Sequence, residues 1–236
     1  MTNVLSSRVA ALRTALAEAS QGKYPVPKII PVTKTHAPED ILPLAELGFT
    51  DIGENRVQEI LEKLPALEQH FRVHCIGRLQ TNKVKYIADK VCMIQSVDRL
   101  ELAREIDRRA IQGNRAMPVL VQVSPAGEAQ KGGIAPEALP ALLQELRHMP
   151  GLQVQGLMAI MPHTEDQALL HTLFGNMRTL FERYQNDAPA GIQMQELSMG
   201  MSGDYLIAAA HGATMVRVGS AIFGPRDYGN SAVQEK

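Results

Sequence analysis

The sequence is poor in the residues that cross-link small secreted domains or bind metals. Of its 236 residues, 2 are cysteine and none is tryptophan, and aromatic residues make up only 4%. Cys75 and Cys92 lie in separate apolar runs and lack the paired spacing of a zinc site or a disulfide framework. The 7 histidines show no ligand spacing either. We therefore expect reduced, buried thiols and no metal site.

The chain also lacks an excess of one charge and a long apolar run. Its 24 basic and 25 acidic residues are mixed along the sequence and give a formal net charge of -1. Such a balance offers no electrostatic footprint for nucleic acid or an acidic membrane. No apolar segment approaches the roughly 18 residues that cross a bilayer, and Arg8, Arg13 and Glu18 interrupt the N-terminal stretch, unlike a signal peptide. We expect a cytoplasmic protein with no nucleic-acid partner and no membrane partner.

The sequence does contain a regular alternation of strand and helix patterns. Short β-rich runs lie at residues 29–33, 51–53, 71–76, 91–95, 119–123, 154–160, 195–199 and 215–218. Helical patterns lie at residues 39–47, 57–64, 82–89, 99–111, 136–149, 165–184 and 204–211. Repeated alternation predicts a parallel sheet, and about eight repeats without a long linker predict closure into a barrel. The predicted fold class is therefore α/β, a (β/α)8 TIM barrel.

The chain is short enough for this barrel to be its only domain. The amphipathic segment 4–19 precedes the first strand and predicts an extra N-terminal helix packed on the barrel. We expect one domain over residues 1–228, followed by a flexible C-terminal tail at 229–236.

Lys34 closes the first β-rich run at a strand-to-helix turn. Chemistry in such barrels gathers at the carboxyl ends of the strands. Partial burial there lowers the pKa of a lysine ammonium toward the range in which the free amine is a nucleophile that forms Schiff bases with carbonyl compounds. Taken alone, a lysine at such a position more often points to solvent, because lysine is almost never fully buried.

Two segments rich in glycine and serine follow the last two strands, at residues 198–204 and 217–224. Phosphate sites in these barrels are built mainly from the loops after strands seven and eight and from a helix N-terminus, where backbone N–H groups lack partners. The alternative is that these glycines serve only as caps and turns. A reactive lysine on the first strand and a phosphate site after the last specify a ligand with an aldehyde at one end and a phosphate at the other. Pyridoxal 5′-phosphate (PLP) fits this description.

At this point the chain resembles the pyridoxal phosphate homeostasis protein family, which is single-domain and similar to the barrel domain of alanine racemase. The resemblance rests on an ordered set of segments spanning nearly the whole chain: residues 30–35, 53–59, 74–83, 156–160, 197–202 and 217–224. The sequence departs from the family pattern at Thr33, where a small residue such as serine is expected, and at Cys75, where phenylalanine is common.

The resemblance implies a role for each residue of the predicted cofactor site. Lys34 would carry the cofactor as an internal aldimine, and the phosphate would be bound by Ser202, Gly219 and Ser220, with Ser198 in support. Arg217 would face the pyridine nitrogen. A permanently charged guanidinium there favours the unprotonated ring nitrogen, which makes the cofactor a weak electron sink.

Two further residues complete the predicted set. Asn55 follows the second strand beside Lys34 and has the hydrogen-bonding groups to bind the ring hydroxyl or to order water. His74 is placed in the third strand, where one residue of register decides whether it faces the barrel interior or the helices. We include His74 among the cofactor-binding residues and leave its direction open.

Two functions are compatible with this site. The first, implied by the resemblance, is a non-catalytic protein that binds PLP reversibly and buffers or delivers it to apoenzymes that require it. The second is a PLP-dependent amino-acid racemase, which needs an acid or base on each face of its substrate. In alanine-racemase-like enzymes a tyrosine from an added domain works the second face. We expect no such domain here, and only Tyr86, Tyr205 and Tyr228 offer substitutes. The binding function is therefore favoured, without catalytic residues and as a monomer.

Overall fold

The computed structural model describes residues 2–127 and 132–225. Eight parallel strands form one sheet, in which each strand lies beside its neighbour in sequence and β1 also pairs with β8. The strands are β1 Lys28–Pro31, β2 Asp51–Glu54, β3 Arg72–Cys75, β4 Met93–Val97, β5 Met117–Val123, β6 Leu152–Ala159, β7 Glu196–Ser198 and β8 Met215–Val218. A parallel bridge between Val32 and Gly53 joins β1 to β2 and closes the barrel. The predicted (β/α)8 barrel is confirmed.

Helices cover the outside of the barrel. They are α1 Thr2–Ser20, α2 Pro38–Ile41, α3 Pro43–Glu46, α4 Val57–Leu67, α5 Val84–Ile87, α6 Leu100–Gln112, α7 Leu139–Leu146, α8 Gln167–Asp187, α9 Tyr205–Ala210 and α10 Ser220–Phe223. The predicted N-terminal helix is α1, which buries Val9, Leu12 and Leu16 on one face and packs against α9 and α10. No helix in the described ranges is both long and apolar enough to span a bilayer.

Several helix boundaries differ from those predicted. The segment predicted as one helix at 39–47 forms two, α2 and α3, because Pro43 has no N–H to continue the first. The segment predicted at 82–89 begins with a 3₁₀ turn, Thr81–Lys83, and α10 was not predicted at all. A helix as short as α10 is below the length at which periodicity is visible.

The apolar core lies in two places. Most of it fills the space between the strands and the outer helices. A smaller cluster fills the barrel interior and consists of Ile30, Met93, Leu120, Met158 and Met215. Because alternate residues of a strand face the same side, these positions identify which residues of each strand point inward. The predicted tail at 229–236 lies outside the described residues, so the division into one domain and a tail stays a prediction.

Candidate functional site

Lys34 lies just past the carboxyl end of β1. The backbone N–H of Val32 donates to Val218 O of β8 (2.9 Å), and the N–H of Thr33 donates to Gly53 O of β2 (3.1 Å). Ile30 points into the barrel interior, and Lys34 continues the same alternating series beyond Val32. The lysine is half-buried. Lys34 therefore lies at the open carboxyl end of the barrel, where the sequence pattern predicted it.

The structure brings Ser202, Gly219 and Ser220 together beside β1. The N–H of Gly219 donates to Ser202 Oγ at 3.1 Å, and Ser220 is the first residue of α10. A Cβ atom added to Gly219 would lie 3.2 Å from the carbonyl oxygen of Val32. Glycine thus permits β8 to approach β1 closely, two residues before Lys34. We call Ser202, Gly219 and Ser220 the cup.

The N-terminus of α9 contributes less to the cup than the sequence pattern predicts. This helix starts at Tyr205 and is only 6 residues long. The Asp204 side chain before it accepts the backbone N–H of Met201 at 2.6 Å. A carboxylate therefore already binds this part of the loop, which leaves phosphate binding to the serine hydroxyls and to the backbone around Gly219.

Arg217 is buried in the barrel interior, with 3% of its surface exposed. One guanidinium nitrogen donates to Ser198 Oγ and the other to Ala159 O, both at 2.7 Å. Burial lowers the pKa of Arg217 to about 10, a shift that the charge of Asp204 opposes. The group is still a cation at neutral pH, and the acceptors of these two hydrogen bonds are uncharged.

Ser198 differs in position from the other residues predicted to serve the phosphate. Its hydroxyl donates to Gln95 Oε1 at 2.7 Å and accepts from Arg217 at 2.7 Å. The residue is fully buried at the end of β7, whereas Ser202 lies in the loop beyond that strand and is half-buried. Its contacts support Arg217 rather than the cup.

His74 faces the barrel interior, which settles the register that the sequence left open. Its Nε2 lies 2.9 Å from Asp51 Oδ1, and its Nδ1 lies 3.0 Å from Gln95 Nε2. A carboxylate only accepts, so Nε2 carries the proton and Nδ1 accepts from the Gln95 amide. Both ring nitrogens are thus engaged by protein groups. A contact between His74 and a cofactor ring stays a prediction.

A buried polar chain results that sequence reasoning did not identify. It runs through the barrel interior along Asp51, His74, Gln95, Ser198 and Arg217. Sequence reasoning missed Gln95, which is fully buried on β4 and whose side chain joins His74 of β3 to Ser198 of β7 across the barrel interior. The available signal was a long polar side chain within a β-rich run, since buried polar side chains need partners.

Asn55 follows β2 at the same end of the barrel as Lys34. Its Oδ1 is buried and has no hydrogen-bond partner among the described residues. The backbone beside it is tightly packed, because a Cβ atom on Gly77 would collide with the carbonyl oxygen of Asn55. A buried acceptor without a donor is costly unless a ligand supplies one. This observation fits the predicted hydrogen bond from a ligand hydroxyl.

One cluster of the described residues has the donor types of a metal site. Ligand atoms of Asp51, His74 and Cys92 all lie within 4.8 Å of one another. Asp51, however, also accepts from Lys28 at 2.8 Å and Arg72 at 2.9 Å, at the end of the barrel opposite Lys34. Burial raises the pKa of the Cys92 thiol to about 11. The carboxylate is already neutralised by Lys28 and Arg72, which disfavours a metal ion at this cluster.

Comparisons with known proteins agree with this geometry. The family model of the alanine racemase N-terminal domain matches residues 8–227. A pyridoxal phosphate homeostasis protein from Aquifex aeolicus is 42% identical over 202 residues, which cover 85% of this chain and 88% of that protein. One from Pseudomonas aeruginosa is 36% identical and covers 98% of this chain and 99% of its own. The barrel is thus of the alanine racemase type, and the chain belongs to the pyridoxal phosphate homeostasis protein family.

Solved structures show the same relationship. PipY of Synechococcus elongatus, solved without PLP, superposes with a TM-score of 0.84 at 35% identity and covers 93% of this chain and 100% of its own. The same protein solved with PLP bound gives a TM-score of 0.82 at 34% identity, with the same coverage. Alanine racemase from Bartonella henselae is only 12% identical, with a TM-score of 0.71 over 98% of this chain and 61% of its own, and shares the fold alone.

Proposed function

We propose that this protein binds PLP reversibly through Lys34 and buffers or delivers it within the cell. One observation carries the proposal: Lys34 follows β1 and Gly219 of the cup follows β8, two strands that pair directly, so both lie at the same end of the barrel. When bound, the cofactor supplies an aldehyde that condenses with a lysine amine and releases one water. The names of the relatives and the PLP-bound PipY structure support the same cofactor.

The cup is suited to hold a phosphate group. Ser202 Oγ accepts from the N–H of Gly219, which leaves its own O–H to donate to a phosphate oxygen. Ser220 adds a second exposed hydroxyl at the same place. Hydrogen bonds to a charged phosphate are worth roughly 1.5–3 kcal/mol each, so losing several of them should weaken binding by orders of magnitude.

Arg217 favours storage over chemistry in this proposal. Its guanidinium would approach the pyridine nitrogen as a hydrogen-bond donor and keep that nitrogen unprotonated. Ser198 and Ala159 fix the guanidinium in place. The account therefore gives the protein no dedicated catalytic residue.

No observation favours the racemase alternative. Tyr86 lies on α5 outside the barrel and is 47% exposed, with the Lys85 ammonium 4.9 Å from its ring. Tyr205 begins α9 and packs against the core, and Tyr228 lies outside the described residues. None of the described tyrosines is placed opposite Lys34 by its contacts.

Two experiments on the loaded protein separate storage from racemization. We would incubate it with L-alanine in heavy water and follow α-deuterium and D-alanine, and in parallel assay the reactivation of an apo-aminotransferase. We expect reactivation without deuteration at an enzyme-like rate. Fast deuteration together with D-alanine would establish a racemase and contradict the proposal.

The cellular setting completes the proposal. We propose that the protein acts as a monomer in the cytoplasm and passes PLP to apoenzymes that require it. Its two free cysteines are compatible with a reducing compartment. Light scattering of the purified protein tests the monomer, and cell fractionation tests the compartment.

A further inference from the structure

A second buried lysine lies close to Lys34 but on the outer side of the barrel wall. Lys63 is on α4 and is 8% exposed. Its Nζ donates to Thr33 O at 2.8 Å, to Glu54 Oε1 at 2.8 Å and to Glu59 Oε2 at 2.9 Å. An ammonium group has three N–H donors, and all of them are used here. All three donors of Lys63 are therefore engaged by acceptors of the protein itself.

The same ion cluster holds the backbone on both sides of Lys34. Before Lys34, the carbonyl oxygen of Thr33 accepts a hydrogen bond from Lys63 Nζ, and the Thr33 hydroxyl donates to Glu54 Oε1 at 2.5 Å. After it, the N–H of Thr35 donates to Glu59 Oε2 at 2.7 Å. The residues that flank Lys34 are thus tied to three charged side chains from β2 and α4.

The turn that carries Lys34 has a conformation that needs such support. Thr35 has a φ of 68°, in the left-handed region that β-branched residues rarely adopt. Residues in this region persist only when surrounding contacts hold them. The bond from Thr35 to Glu59, which in turn binds Lys63, provides one of those contacts.

We propose that Lys63, together with Glu54 and Glu59, is a positioning group that sets Lys34 at the distance where its amine meets an aldehyde whose phosphate lies in the cup. This inference rests on the proposed function. The cluster acts through the backbone of residues 33–35. It therefore governs attachment to Lys34 and leaves phosphate binding unchanged.

Two ligands separate these effects. PLP forms the covalent bond, whereas 4′-deoxypyridoxine 5′-phosphate has the same ring and phosphate but a methyl group in place of the aldehyde. We would measure the affinity of each ligand, and the rate at which PLP attaches to Lys34, for the wild type and for Lys63→Met. We expect PLP affinity and attachment rate to fall by at least about tenfold, because misplacing a reacting group by about 1 Å costs up to about 100-fold. Affinity for the aldehyde-free analogue stays within about twofold.

A milder variant shows whether an effect on PLP attachment comes from lost positioning or from misfolding. Lys63→Met leaves Glu54 and Glu59 without their shared ammonium, whereas Glu59→Ala removes the Thr35 contact and keeps the Lys63–Glu54 pair. Glu59 is partly exposed, so water replaces it readily. We expect Glu59→Ala to show the same selective loss with a thermal midpoint near that of the wild type. The matched controls are Glu62→Ala, exposed on the same helix, and Lys85→Met, exposed on α5.

Unchanged PLP attachment in Glu59→Ala and Lys63→Met would overturn the inference. An equal loss for both ligands would overturn it as well, since that result means general loosening of the site. If the wild type itself attached PLP to a residue other than Lys34, the proposed function would fail first, and this inference with it.

Discussion

At the scale of single residues, Ser198 and Ser202 have the same side chain and opposite surroundings. Ser198 is fully buried and its hydroxyl joins Gln95 to Arg217, whereas Ser202 is half-buried and accepts only from the backbone of Gly219. Ser198 therefore holds Arg217 in place, whereas Ser202 belongs to the cup.

The pair Ser198→Ala and Ser202→Ala tests this division. Ser198→Ala leaves the buried Gln95 amide oxygen and one nitrogen of the Arg217 guanidinium without a partner, so we expect it to lower the free energy of unfolding by about 1–3 kcal/mol. Ser202→Ala should change stability by less than about 0.5 kcal/mol and should reduce the preference for PLP over pyridoxal. Urea unfolding and ligand titration of both variants measure these effects. Equal stability losses in the two variants would contradict the assignment.

Gly77 and Gly203 offer a second residue-scale comparison. Both lie in loops at the open end of the barrel, but an added Cβ collides with Asn55 only at Gly77, and nothing lies within 4 Å of one at Gly203. We expect Gly77→Ala to destabilise the protein by more than about 2 kcal/mol and Gly203→Ala by less than about 0.5 kcal/mol. Thermal unfolding of both variants checks this. A harmless Gly77→Ala would mean that the backbone at Asn55 is looser than described.

At the scale of secondary structure elements, the alternation of strands and helices was predictable because the strands lie in or beside short β-rich runs that are separated by helical patterns. The last strand was predicted without error, and β1 was displaced by only one or two residues. Helix ends were predicted less accurately where a proline or a 3₁₀ turn intervenes, as at Pro43 and Thr81. Local sequence determines these elements, and local sequence is what a pattern records.

The site was only partly readable from the same patterns. Lys34 and the cup stand at strand ends, where the fold alone brings them together. The contacts of Gln95 and Lys63 were not visible, because each depends on strand register and barrel closure. Ser198 and Gln95, for example, are separated by 103 residues in sequence and meet only across the barrel interior.

The ion pairs at the amino ends of β1, β2 and β3 should make the free energy of unfolding depend on pH in the acid range. Burial opposes ionisation of Asp51, yet hydrogen bonds from His74, Lys28 and Arg72 hold the pKa of its carboxyl far below its ordinary value of 3.8. A carboxylate whose pKa is depressed on folding adds stability above its unfolded pKa and loses it as pH falls through the folded value. We therefore expect the free energy of unfolding to decline with acid below about pH 4 and less steeply in Asp51→Asn.

Urea unfolding from pH 7 to pH 2 measures this difference. Asp89→Asn serves as the control, because Asp89 also has a lowered pKa but pairs with Lys90 on the surface, where solvent weakens the interaction. The same pH dependence in wild type and Asp51→Asn would show that other groups control acid unfolding.

At the scale of the whole molecule, the packed interior of the barrel lies below the ligand-binding end, and the proposed function places Arg217 where the two meet. The apolar cluster and the polar chain from Asp51 to Arg217 fill the interior, while Lys34, Asn55 and the cup lie at the carboxyl ends of the strands. Side chains at the open end are thus available for a ligand without being needed for the core.

The central claim, that Lys34 is the residue that holds PLP, is tested most directly by locating the covalent attachment. The purified protein would be loaded with PLP, reduced with borohydride and digested, and the modified peptide identified by mass spectrometry, with Lys34→Ala treated in parallel. The account predicts one adduct on Lys34 in the wild type and its loss in the variant. An adduct on Lys63 or Lys83 in the wild type, or equal labelling of Lys34→Ala, would contradict it.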